Sequence, residues 1–382
     1  MVAARGRGGG RAGVLARGRG FPGGGGSRAW RTYRADKFQL PFVPPFHGEL
    51  GQSNFTHGAN FAVIGATGLD LSFFLENNIT SVPPFNNSLS VQLEWFQKLK
   101  PTLCSTPQEC REYFKRSLFF MGEFGGNDYV FFLAAGKTVE EVVPYVPRVV
   151  QAISAGVEAV IKEGARYVVV PGQQPNGCTP IILTLYASSN STDYEARTGC
   201  LKKHNTLTRY HNSKLLEALS QLRLKYPSVK IVYADHYKPV IDFQLTPARF
   251  AVFMMHANPG VISDAAGFSG KAGLRTCCGA GGGPYNYDLT AACGFPGVTA
   301  CQDPDDYVNW DGIHLTEAAY RHIAAGWLHG PYAHPPILEA VRAPAHPAGG
   351  RERVDRTPWA LGQKQPSAFS LLLNGISARF IK

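Results

Sequence analysis

The residues of plainest chemical potential are Asp311 and His314, in the run Tyr307-Val-Asn-Trp-Asp-Gly-Ile-His-Leu-Thr316. An Asp three residues before a His lets one short loop present a general base and the carboxylate that orients it. Alone, the spacing also describes an ordinary structural histidine. Acyl transfer further needs donors where negative charge develops on a carbonyl oxygen. Gly65 offers a backbone N–H that a substrate can approach closely, and Asn127 offers a side-chain amide. Taken singly, each reads equally well as a turn residue. The missing member is a nucleophile. Only Ser27 and Ser53 precede Gly65, and no Gly-Asp dipeptide occurs anywhere in the chain.

These residues must be carried by strands and helices. Phe61 to Ile64, Ser117 to Gly122, Tyr167 to Pro171 and Lys230 to Asp235 read as short strands, several of them apolar throughout. Helices are expected at Val91 to Leu99, at Val139 to Ile161, over Asp193 to Tyr226 as one helix or two, and from about Thr316 to Gly330. In the second, Val139, Val142, Val143, Val146, Val149, Val150, Ile153, Val157 and Val160 follow a 3.6-residue period, and Pro144 and Pro147 mark where its regular part begins. Strands alternating with helices imply a parallel sheet covered on both faces. Its chemistry gathers at the strand C-termini, where Gly65, Asn127 and the segment after Val170 fall. Residues 265–303 differ: Cys277-Cys-Gly-Ala-Gly-Gly-Gly283, Cys293 and Cys301 predict a long loop held by disulfides. Without a preceding strand or a Gly-Lys-Ser/Thr ending, its glycines do not make a phosphate loop.

Among the 382 residues, 44% are hydrophobic, enough for a sizeable core, and no apolar run reaches a membrane-spanning length. The net charge of +10 suggests an acidic partner until its location is considered. Residues 1–35 hold eight Arg and no acid, residues 342–382 carry +5, and the body between is slightly acidic. The Arg/Gly-rich start reads as an RNA-binding tail or as a disordered extension, and no feature of the body supports nucleic acid as a partner. Eight Cys and four N-x-[ST] sequons, at Asn54, Asn78, Asn86 and Asn190, lean towards an oxidising, secretory compartment. No apolar signal segment is visible at the N-terminus.

Four segments in order carry a resemblance: Gly58-Ala-Asn-Phe-Ala-Val-Ile-Gly-Ala-Thr67, Phe119-Phe-Met-Gly-Glu-Phe-Gly-Gly-Asn-Asp128, Val170-Pro-Gly-Gln-Gln-Pro-Asn-Gly-Cys178 and Val308-Asn-Trp-Asp-Gly-Ile-His-Leu-Thr316. From about Leu40 to Ile337 the chain resembles a plant GDSL-type esterase/lipase of the SGNH hydrolase superfamily. The resemblance implies a flavodoxin-like three-layer α/β/α sandwich with a parallel sheet. It implies hydrolysis of carboxylic esters through an acyl-enzyme, with no metal or cofactor and a small-molecule or lipid ester as substrate. By position it makes His314 the base, Asp311 its orienting acid, and Gly65 and Asn127 the oxyanion residues. It also implies secretion and N-glycosylation. The chain departs from the family at the first motif, whose Gly-Asp-Ser follows a central first strand; neither is visible in residues 1–39. Ile64 stands where many relatives have a small residue. The expected organisation is a low-complexity segment (1–39), an N-terminally truncated hydrolase-like domain (40–338) and a low-order basic tail (339–382). A non-catalytic binding protein on the same fold is the alternative function.

Overall fold

A computed structural model describes residues 43–46, 53–82, 86–247, 250, 268 and 273–341, and the backbone of 377–380. The Arg/Gly segment and Ser27 lie outside the described residues. The main sheet has six strands: β1 (Ala59–Asn60), β2 (Ser117–Phe120), β3 (Tyr167–Pro171), β4 (Lys230–Ala234), β7 (Ala333–His334) and β8 (Ser377–Phe380). Their order is β1-β8-β2-β3-β4-β7. A separate ribbon pairs β5 (Cys278–Gly279) with β6 (Thr299–Ala300).

The centre is parallel. Leu118, Phe119 and Phe120 of β2 stand opposite Tyr167, Val168 and Val169 of β3, and β3 continues in register along β4. Side chains alternate between two buried layers, as the period of a strand requires. Phe119, Val168, Val170 and Ile231 enter one core. Leu118, Phe120, Val169 and Val232 enter the other. The first core is closed by α2 (Leu89–Leu99), α6 (Val146–Lys162) and α8 (Lys202–Lys225). The second is closed by α9 (Tyr237–Leu245) and α10 (Glu317–His329), whose Trp327 is completely buried. Each fully buried Val, Leu or Phe contributes about 1.5–3 kcal/mol, so the sheet is held by apolar contact on both faces. This is the expected three-layer arrangement.

The remaining helices among the described residues are α1 (Leu71–Glu76), α3 (Pro107–Phe114), α4 (Gly126–Ala134), α5 (Val139–Val142), α7 (Pro180–Leu185) and α11 (Ile337–Ala340). A 3-10 turn at Val143–Tyr145 separates α5 from α6, so the regular helix starts at the prolines as expected. Two expectations are corrected. The first strand is not Phe61 to Ile64 but Ala59–Asn60. Beyond it the Asn60 side chain takes over, its Oδ1 accepting from Ala62 N at 2.9 Å. The helix expected from Asp193 begins only at Lys202. Before it, Asn190 caps a 3-10 turn at Ser191–Asp193, Tyr194 bridges Leu201, and Cys200 is bound to Cys178.

Within the tail expected to be of low order, β8 forms a strand inside the sheet, between β1 and β2. It runs antiparallel to both neighbours: Ala378 stands opposite Ala59 of β1 and opposite Phe119 of β2. Strands β1 and β2 do not pair with each other. Without an intervening strand both would expose a row of unpaired N–H and C=O groups. The sheet is therefore parallel at β2-β3-β4 and antiparallel towards β1 and β7.

All eight cysteines are paired, as Cys104–Cys110, Cys178–Cys200, Cys277–Cys301 and Cys278–Cys293. The last two lock the long loop predicted to be disulfide-held. No helix among the described residues is long and apolar enough to cross a membrane.

Candidate active site

The turn bearing His314 lies just before α10. Trp310 N donates to His314 O at 2.8 Å, and Asn309 bridges Leu315, so residues 310–314 form a closed loop on a short ladder. Gly312, at φ +92°, makes the reversal. Thr316 then caps α10, its Oγ1 accepting from Ala319 N. Inside the loop, Asp311 Oδ1 accepts from the backbone N–H of Ile313 (3.0 Å) and of His314 (2.8 Å). Its Oδ2 meets His314 Nδ1 at 2.7 Å. Burial pushes the Asp311 carboxyl up, but the neighbouring His314 ring and the hydrogen bonds from His314 and Ile313 outweigh it. The net direction is down, so Asp311 is a carboxylate. A carboxylate at Nδ1 selects the tautomer with its proton there. Nε2 is left with a lone pair, which is what a general base requires.

The second part of the site follows β1 and β2. Gly65, at φ +72°, makes the turn beyond β1. Asn127 and Asp128 lie in the first turn of α4 and fasten the following loop. Asn127 Nδ2 donates to Ala66 O at 2.8 Å. Asp128 accepts from Gly68 N (2.8 Å) and Leu69 N (2.9 Å) and is completely buried. Burial raises its carboxyl to about 6, with the backbone bonds opposing the rise. Asp128 is thus the clamp of this loop.

Two residues that sequence reasoning missed link the halves. Gln173 and Gln174 follow β3. Gln173 Nε2 donates to Phe124 O at 2.6 Å, beside the start of α4. Asn212 of α8 grips the Gln173 backbone through both its N–H and its carbonyl. Gln174 Nε2 reaches Ile313 O at 3.4 Å, and Ile181 N donates to Gly312 O at 3.1 Å. The end of β3 therefore touches both the loop before Asn127 and the loop of His314. The available signal was position: two amides directly after a central parallel strand.

Ser53 is exposed, and no hydroxyl among the described residues bonds to His314 Nε2. A second acid–histidine contact, Glu123 with His236, lies at the ends of β2 and β4. Burial pushes His236 down to about 3, keeping its ring neutral. It lies beside Trp327 and Tyr320, beneath α10. Asn54, Asn78, Asn86 and Asn190 are all exposed.

Residues 7–327 match the family model described as GDSL-like Lipase/Acylhydrolase. The chain belongs to this family. It is similar to GDSL esterase/lipase At5g45910 of Arabidopsis thaliana, 41% identical over 304 residues that span 79% of this chain and 77% of the relative. GDSL esterase/lipase At1g28600 of the same plant is 45% identical over 298 residues, covering 78% and 70% respectively. GDSL esterase/lipase At1g28590 is 44% identical over 303 residues, 79% and 70%.

Proposed function

We propose that the site is built for carboxylic-ester hydrolysis, with His314 as general base and Asp311 as the acid that orients it; with no serine to carry an acyl group, His314 takes a proton from water, which attacks the ester carbonyl and expels the alcohol. Gly65 N–H and the Asn127 amide are the donors for the oxyanion. The observation that carries the reading is the 2.7 Å contact of Asp311 with His314 Nδ1, which leaves Nε2 as the basic nitrogen. Asn127 bonded to Ala66 supports the oxyanion assignment, because it keeps the amide against the Gly65 turn. The substrate is a small-molecule or lipid ester with an apolar portion. Ile64 and Ile313, next to Gly65 and His314, are 54% and 45% exposed and favour such a group.

The nucleophile is the absent part. With no Gly-Asp-Ser motif in the sequence, this chain keeps the base and oxyanion halves without the attacking serine. Its turnover is then orders of magnitude below that of a complete triad, with a residue from the oxyanion donors and binding. That absence also favours a second reading, a protein that binds esters without cleaving them. Hydrolysis of a short-chain p-nitrophenyl ester separates the two. Slow turnover above buffer, lost in His314→Ala and in Asn127→Ala, is the expected result. Identical rates for wild type and His314→Ala contradict the hydrolase reading.

Four disulfides and four exposed sequons support synthesis in an oxidising, secretory compartment. A mass decrease on treatment with an N-glycan amidase is expected for protein from a eukaryotic host. An unchanged mass counts against it.

A further inference from the structure

The glycine- and cysteine-rich run from Cys277 to Gly283 has no part in the chemistry above, yet it lies against the base-bearing turn. Cys277 N donates to Asn309 O at 2.9 Å, and Cys278 N to Trp310 O at 2.7 Å, immediately before Asp311. Both cysteines are bridged, to Cys301 and Cys293, and form a small core with the buried Trp310. The glycines let the run fold around Asn286 and Tyr287. A Cβ at Gly279 would overlap the Asn286 carbonyl oxygen, and one at Gly281 the carbonyl of Tyr287. Asn286 is gripped from three sides. Thr276 Oγ1 donates to its carbonyl at 2.7 Å, its Nδ2 donates to Thr276 O at 3.2 Å, and Gly282 N donates to its Oδ1 at 3.3 Å. The next side chain, Tyr287, is half-buried and lies against Gly312, where any Cβ would overlap its ring. Gly312 is the residue between Asp311 and the Ile313-His314 end of the turn.

We propose that Tyr287 is a positioning residue for the base: its ring, set by the disulfide knot, bears on Gly312 and holds the Asp311–His314 turn in the geometry where Nδ1 faces the carboxylate. The inference rests on the reading of Asp311 and His314 as orienting acid and base. It gives the glycine-rich run a structural purpose in place of phosphate binding. Tyr287 acts through the backbone of Gly312 and contributes no proton, so phenylalanine can replace it.

The test is proton NMR of the full chain, which reads the pair without needing turnover. An imidazole N–H shared with a carboxylate resonates at far low field, and the Asp311 carboxyl carbon reports its own titration. Wild type and Tyr287→Phe are expected to show the low-field proton. Tyr287→Ala is expected to lose it and to titrate Asp311 at higher pH, because burial then acts without its counterpart. Should Tyr287→Ala lack the wild-type circular dichroism, Tyr287→Leu is read by the same two signals with the same expectation. A folded Tyr287→Ala with both signals unchanged overturns the positioning role. Absence of the low-field proton from wild type, with Asp311 untouched by His314→Ala, overturns the pairing itself and the inference with it.

Discussion

The side-chain amide of Asn127 donates to the carbonyl oxygen of Ala66 at 2.8 Å, and so ties the start of one helix to the turn after a separate strand. Its neighbour Asp128 holds Gly68 and Leu69 of the same loop. In the proposed site adjacent residues thus divide the work: Asn127 serves the oxyanion and Asp128 anchors the loop. Asp128→Ala leaves two buried N–H groups without an acceptor and should destabilise by about 2–5 kcal/mol. Asn127→Ala loses one half-exposed bond and should cost about 1 kcal/mol, while lowering any His314-dependent ester turnover about 10²–10³-fold. Urea unfolding and ester kinetics on the two variants check the division. Equal destabilisation with equal turnover would contradict it.

Among the described residues, four histidines are buried and held below their usual range chiefly by burial: His204 and His322 at about 4, His211 and His236 at about 3. In the unfolded chain each titrates near 6.5. Between pH 6.5 and 4 the unfolded state therefore binds more protons, and native stability falls as pH drops through that window. Asp128, raised to about 6, and Asp235, Asp305 and Asp306, also raised chiefly by burial, work in the opposite direction, while the lowered carboxyls of Asp311 and Glu158 act with the histidines. The urea midpoint should fall steadily from pH 7 to 4.5. In His211→Gln the slope should lessen by about one proton. A flat profile would contradict the burial of these rings as neutral groups.

Cys277–Cys301 closes a loop of 24 residues. Chain entropy alone makes such a link worth about 3 kcal/mol. Cys277→Ser with Cys301→Ser should lower stability by about that amount and loosen Trp310, whose carbonyl accepts from Cys278 N. Trp310 emission and a denaturant series on the double variant test this. An unaltered midpoint would mean that the loop is ordered without the bond.

Much of the central sheet was legible because its strands are continuous apolar runs between helices. Ser117–Phe120, Tyr167–Pro171 and Lys230–Ala234 fall where the sequence predicts them. The prolines at 144 and 147 placed the start of α6. Asp311 and His314 were legible because three residues suffice to join them in one turn. Less local features were hidden. The start of α8 at Lys202 depends on Cys178 reaching Cys200 from another segment. Gln173 acts through Asn212, 39 residues away. The place of Ser377–Phe380 depends on what β1 and β2 leave open, and a four-residue tail segment carries no signal of that.

That strand gives a further prediction. Removing residues 374–382 takes β8 from between β1 and β2 and bares an edge on each. The shortened chain should melt at lower temperature and aggregate faster than the full chain, as read by calorimetry and light scattering. Unchanged melting would contradict a central role for β8.

The central claim, a site with base and oxyanion donors but without its serine, is tested most directly by intact-mass analysis after treatment with a fluorophosphonate. This reagent traps only a serine activated by a neighbouring base. The account predicts no stoichiometric adduct on the wild-type chain, while slow ester hydrolysis still depends on His314. One phosphonyl group per chain on a single serine, lost in His314→Ala, would contradict it.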